Sequence, residues 1–116
     1  MKYTCPSCGY FVFSDLPGSD AICPICFWED DISQLRFAST TGSNRVSLVD
    51  AQKNYAQFGA IEENALSNVR KPNSNDQLDP YWRPLDATVD KIEVPVSDKD
   101  YGLSYPTDRT ELYYWK

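Results

Sequence analysis

A chain of 116 residues with 41% hydrophobic and 14% aromatic side chains has the length of one compact domain and too much core-forming material to be a disordered chain. Its 17 acids against 11 bases leave a net charge of −6, which repels phosphate backbones and attracts basic partners. A nucleic-acid partner is therefore not expected, and a protein partner is. The chain has no histidine, so the commonest general base is missing.

The charge is uneven. Residues 1–37 carry two bases against five acids (net −3), residues 38–72 four against three (+1), and residues 73–116 five against nine (−4). The first ten residues hold no apolar run of signal-peptide length, and the run Ile25-Cys26-Phe27-Trp28 is far too short to cross a membrane. A cytoplasmic location without a membrane partner is expected. That compartment is reducing, which favours thiols and metal ligands over disulfides. In a secreted protein the same four cysteines would allow three disulfide pairings.

In chain order, Tyr10-Phe11-Val12-Phe13 is aromatic and β-branched between turn residues, and reads as a strand. Asp31-Ile32-Ser33-Gln34 has the form of a capping box, opening one or two helical turns up to Arg36. After a polar loop with Gly42 and Asn44, residues 47–58 give the best helix: Ser47 is a natural N-cap, Leu48, Ala51, Tyr55 and Phe58 share one face, and Gly59 stops it. A short helix over residues 61–66 is expected to bury Ile61, Ala65 and Leu66. Pro72 and the run Asn73-Ser74-Asn75-Asp76 read as a loop or linker. Beyond it, residues 91–96 and 111–115 are strand-like, with Pro95 restricting the first to an edge or a bulge. The expected fold class is α+β: a small zinc-ribbon-like four-cysteine unit with one or two helices over residues 1–71, and an extension over residues 72–116 that contains strands and packs on the same domain.

The strongest signal is the spacing of Cys5, Cys8, Cys23 and Cys26, two residues inside each pair and fourteen between pairs. One tight turn can aim both sulfurs of a pair at a common point, and four sulfurs fill a tetrahedral zinc shell. Pro6 and Pro24 fix the turns, and Gly9 permits a positive φ after the second ligand. Zinc is the expected metal. A rubredoxin-like iron site is the alternative that ligand type leaves open. A redox dithiol lacks its βαβ context, and inert buried cysteines have no reason to fall into matching pairs. A catalytic zinc keeps one open position; four cysteines close the shell, so no enzyme is expected.

The stretches from Cys5 to Tyr10, Pro17-Gly18-Ser19, and Ile22 to Asp31, followed by Val46-Ser47-Leu48, Ala51-Gln52, Asn54-Tyr55, Phe58-Gly59-Ala60 and Glu62-Glu63, resemble the bacterial cysteine-rich CPCC family over about residues 3–71. Tyr105-Pro106 through Trp115 is also similar to the tail of longer members. Ser7 departs from the pattern: the family has a cysteine beside the second ligand there. The resemblance implies a metal-binding role, with no established activity.

Two further features carry functional readings. Trp28-Glu29-Asp30-Asp31 reads either as a packed tryptophan with acids at a helix start or as an acidic contact for a basic partner. Tyr81-Trp82 and Tyr113-Tyr114-Trp115 read as core or as binding hot spots. Together these features point to a zinc-stabilised protein-interaction module, in its most concrete form an acidic immunity- or antitoxin-type protein masking a basic toxin domain. The alternatives are a nucleic-acid-binding zinc ribbon, which needs Arg36, Arg45, Lys53, Arg70 and Lys71 to gather into one patch, and an iron redox carrier.

Overall fold

In the computed structural model, which describes residues 2–116, the first cysteine turn is the loop of a hairpin. Strand β1 (Tyr3–Thr4) pairs antiparallel with β2 (Phe11–Phe13), with a register irregularity between Tyr3 and Thr4. Aromatic and β-branched residues suit this pleated, half-buried surface. On its other side β2 is met by the chain returning from the loop, where the Phe11 N–H donates to the Gln77 carbonyl and Tyr10 bridges Leu78.

Helix α1 (Ile32–Arg36) starts at Asp31, whose carboxylate accepts from the Ser33 N–H. Only this half of the expected capping box forms. Gln34 is fully buried, and its side-chain amide donates to the carbonyls of Thr40 and Val46 while accepting from Asn44. It closes the 38–47 loop instead of the helix start.

Helix α2 (Leu48–Phe58) has Ser47 accepting from the Asp50 N–H and Gly59 at φ +92°, as the spacing of the sequence requires. An N-cap of this kind stabilises by about 1 kcal/mol. Leu48 and Ala51 are buried, Tyr55 and Phe58 half-buried, and Gln52 joins the inward face. The turn after it is a 3-10 helix, Glu63–Asn68, which buries Ala65 but leaves Leu66 exposed, against expectation.

Neither C-terminal strand forms. Residues 91–96 run without backbone pairing, and Glu111 and Leu112 belong to a second kind of structure, the 3-10 helix Arg109–Leu112. The cause is the lack of a ladder to join: the outer side of β2 is already taken by residues 77–78, Pro95 has no N–H, and the Val96 N–H is satisfied by the Tyr101 hydroxyl. Beyond the backbone bonds of Gln77 and Asp79, the extension is held to the rest of the chain through side chains. Trp82 donates its indole N–H to the Pro6 carbonyl at 3.0 Å, Tyr113 is buried and donates to the Thr4 carbonyl, and Gln52 accepts from the Leu85 N–H. The core these elements share contains all four cysteines together with Ile25, Trp28, Leu48 and Ile61. Among the described residues, no helix is long and apolar enough to cross a membrane.

Candidate metal centre

The two cysteine turns are closed by the same pair of backbone hydrogen bonds. In the first, the Gly9 N–H donates to the Cys5 carbonyl at 2.8 Å and the Cys5 N–H to the Tyr10 carbonyl at 2.9 Å. In the second, the Phe27 N–H donates to the Cys23 carbonyl at 2.9 Å and the Cys23 N–H to the Trp28 carbonyl at 2.8 Å. Gly9 and Phe27 occupy the same place and both have positive φ, +86° and +76°. Glycine is needed in the first turn for a second reason: a Cβ there would lie 2.5 Å from the Trp82 ring. Aligning the two Cys-Pro-x-Cys-x strings would have shown that Phe27 must share the left-handed conformation of Gly9.

The turns face each other. Cys5 Sγ lies 3.6 Å from Cys26 Sγ, Cys8 Sγ lies 3.8 Å from Cys23 Sγ, and all four sulfurs fall within 4.8 Å of one another. These separations are far beyond a disulfide bond. Four sulfurs at 2.3 Å from a tetrahedral ion would be about 3.8 Å apart, so the cluster has the size of one metal ion. All four cysteines are at most 2% exposed, and the thiol donor set suits zinc or iron.

Electrostatics point the same way. Burial, reinforced by hydrogen bonds among the thiols, pushes the Cys5 thiol well above its usual range, and burial does the same to Cys26. Cys23 is held far below it by hydrogen bonds from Cys26, Cys5 and Cys8. The N–H groups of Ile25 and Cys26 also point at the Cys23 sulfur, at 3.4 and 3.5 Å. Without a cation, negative charge is favoured at Cys23 and disfavoured at Cys5 and Cys26. A divalent ion displaces the thiol protons and makes a fully thiolate set affordable.

The acidic run after the fourth cysteine is part of the frame. Trp28 is fully buried and Asp30 nearly so, with its carboxylate accepting from the Ser19 hydroxyl at 2.7 Å and from the Ser19 N–H. Burial raises the Asp30 carboxyl above the usual range against the pull of those bonds. Asp31 caps α1 and accepts from the Ser43 N–H. Glu29 is gripped through its backbone, which donates to Asn44 Oδ1 at 2.8 Å and accepts from Asn44 Nδ2 at 2.9 Å. Of the four residues expected as a partner surface, Trp28 and Asp30 therefore offer a partner nothing, while Glu29 and Asp31 are half-exposed. Of the five bases a basic patch would need, three are in local ion pairs: Arg36 binds Glu93, Arg45 binds Glu62 and Arg70 binds Asp76, while Lys53 and Lys71 are in no ion pair among the described residues.

Trp82, read from the sequence as core or hot spot, covers Gly9. Two residues that carry the site were given no such role by sequence reasoning: Gln52 donates to the Pro6 carbonyl inside the first turn, and Asn44 fixes the exit of the second. A buried amide in a helix or loop has no periodic signature, so nothing in the sequence pattern marks them. Ser7 is 1% exposed and its hydroxyl has no hydrogen-bond partner among the described residues.

A family description of cysteine-rich CPCC proteins matches residues 3–76. No curated protein and no solved structure matches the chain. The match spans more than half of the sequence and takes in both cysteine turns, β1, β2, α1 and α2, so the chain belongs to the cysteine-rich CPCC family.

Proposed function

We propose that the centre holds one zinc ion permanently and that the protein is a non-catalytic interaction module stabilised by it. The observation that carries this reading is the closed set of four buried thiols spaced for a single tetrahedral ion. A fourth sulfur stands where a catalytic zinc would keep water, and the chain contains no histidine to act as a general base. An ion in this position ties the β1–β2 hairpin to the turn that leads into α1, and so does the work of a larger core in a short chain.

In its most concrete form the module is an immunity- or antitoxin-type protein of a bacterial cytoplasm that masks a basic toxin domain. Its size, its net charge of −6 and the concentration of acids after residue 72 support that reading through charge complementarity. The test is elemental analysis of the protein purified from its own cells together with whatever stays bound. One zinc per chain and a stoichiometric basic partner are expected. Iron with its visible absorption bands would replace the scaffold reading with a rubredoxin-like one. Zinc with no stable partner would remove the immunity-type form and leave the structural ion standing.

A further inference from the structure

Between the hairpin, the 75–79 segment and the C-terminal turn lies a cleft of about 620 Å³ whose walls include Tyr3, Phe11, Tyr81 and Tyr113. That volume is in the range of small-molecule sites, roughly 300–1,000 Å³. Tyr3, Phe11 and Tyr81 make no stacking or edge contact with another ring among the described residues, and Tyr3 and Phe11 are only partly buried. Tyr81 is 79% exposed, yet its backbone is pinned, because its N–H donates to Asp79 Oδ1 at 2.9 Å. An exposed aromatic ring on a fixed backbone at the lip of a cleft is a poor way to fold and a good way to hold a flat ligand.

The charges in the cleft decide the sign of that ligand. Lys2, Lys116, Asp76 and Asp79 all line it. Asp76 is already neutralised, accepting from Arg70 through both oxygens at 2.7 and 2.9 Å and from the Asn73 N–H. Asp79 is buried, with one oxygen taking the Thr4 hydroxyl at 2.7 Å and the other the Tyr81 N–H. Lys2 and Lys116 belong to no ion pair among the described residues, and the Lys116 ammonium sits 5.9 Å from the centre of the Tyr113 ring. On a chain of net charge −6, these two ammonium groups give the cleft a positive side while its two acids are already bonded within the chain. A cationic ligand would meet both lysines, and a neutral ring would leave them unused.

We propose that this cleft is a binding site for a small planar aromatic anion, a ring carrying one carboxylate or phosphate, with Tyr3, Phe11 and Tyr81 contacting the ring and Lys2 and Lys116 the anionic group. This goes beyond the scaffold reading and does not depend on it. The floor of the cleft is nevertheless tied to the metal turn: Thr4 precedes Cys5, and the Asp79 N–H donates to the Gly9 carbonyl at 2.8 Å.

The test is an amide-resolved NMR titration of the full, metal-loaded chain with four probes: 2-naphthoate, phenyl phosphate, the neutral 2-naphthamide and the cationic 2-naphthylmethylammonium. Saturable binding of at least one anion is expected, with shifts confined to the surroundings of Tyr3, Phe11, Tyr81 and Thr110. The neutral amide should bind about tenfold more weakly than 2-naphthoate, the scale of one lost charge-assisted contact. The double variant Lys2→Ala/Lys116→Ala should weaken anion binding by a similar factor, and Tyr81→Ala, at an exposed position, should weaken it with the spectrum of the folded protein retained. Shifts elsewhere on the molecule, equal affinity for amide and anion, tighter binding of the cation, insensitivity to the lysine variants, or no saturable binding would each overturn the proposal.

Discussion

The stretch up to Asn68 and the stretch after it hold themselves together in opposite ways. The first contains both strands and both α-helices, and its backbone closes most of its own hydrogen bonds around the cysteine turns. The second has only the 3-10 turns Gly102–Ser104 and Arg109–Leu112 among its described residues; its backbone bonds the first at Gln77 and Asp79, and beyond Asp79 it is fastened through side chains: Trp82 to Pro6, Leu85 and Tyr114 to Gln52, Arg109 to Pro17, and Glu93 to Arg36. The first region is therefore expected to be lost all at once, when its centre is lost. The second should come away one fastening at a time, since local openings follow local contacts.

The largest effect expected is loss of the metal. Zinc contributes roughly 10–16 kcal/mol in small zinc-finger peptides, as much as the whole stability of a typical domain, about 5–15 kcal/mol. Chelation, or Cys23→Ala, should therefore unfold both regions together, read as simultaneous loss of far- and near-UV circular dichroism. A fold that survives chelation in the N-terminal half would break the comparison.

Next comes Gly9→Ala. The new methyl would press on the Trp82 ring at 2.5 Å and occupy a left-handed φ of +86°. The left-handed conformation alone costs about 1–2 kcal/mol for a residue with a Cβ. The clash adds to it, so a destabilisation above 2 kcal/mol in urea melts is expected. Adding Trp82→Ala should relieve the clash but not the backbone cost. If the double variant is no better than the sum of the singles, Trp82 does not cover the turn.

Gln52→Leu should detach the second region and spare the first. It leaves the Leu85 N–H without its partner, at about 1–3 kcal/mol for a buried orphan, while the Pro6 carbonyl keeps the Trp82 indole as its second donor. Hydrogen exchange should speed up from Leu85 onward while α2 amides stay protected. The smallest effect is a pH response of the Arg36 clasp, where the guanidinium binds Glu93 and lies 4.8–5.1 Å from the rings of Phe37, Tyr101 and Tyr105. Arg36 holds the Glu93 carboxyl below its usual range. Its contribution is thus complete above the unfolded glutamate value, about 4.3, and fades as pH falls through the lower folded value. The Tyr101 and Tyr105 ring signals should shift in that window, and Glu93→Gln should abolish the shift.

What could be read from the residues divides along the same line. The cysteine turns, strand β2 and the helix from Ser47 to Gly59 were legible because each is dictated by local rules: ligand spacing, aromatic and β-branched composition, caps at both ends. The alternation of Ile92, Val94 and Val96 was legible too, and misleading, because a strand also requires a free edge, and residues 77–78 had already taken the one on β2. Gln34, Asn44 and Gln52 act as buried amides that close backbone groups far away in sequence, and no local pattern announces that. The acidic run after Cys26 was visible as a feature, but whether Asp30 faces a partner or Ser19 depends on a loop eleven residues back being folded over it.

The reading of the cysteine centre rests on a single ion surrounded by sulfur alone. X-ray absorption at the metal edge of the purified chain tests this most directly. One zinc with four sulfur neighbours at about 2.3 Å and no lighter atom in the shell is the expected spectrum. An oxygen or nitrogen neighbour beside three sulfurs, or a reduced protein that carries no metal, would contradict it.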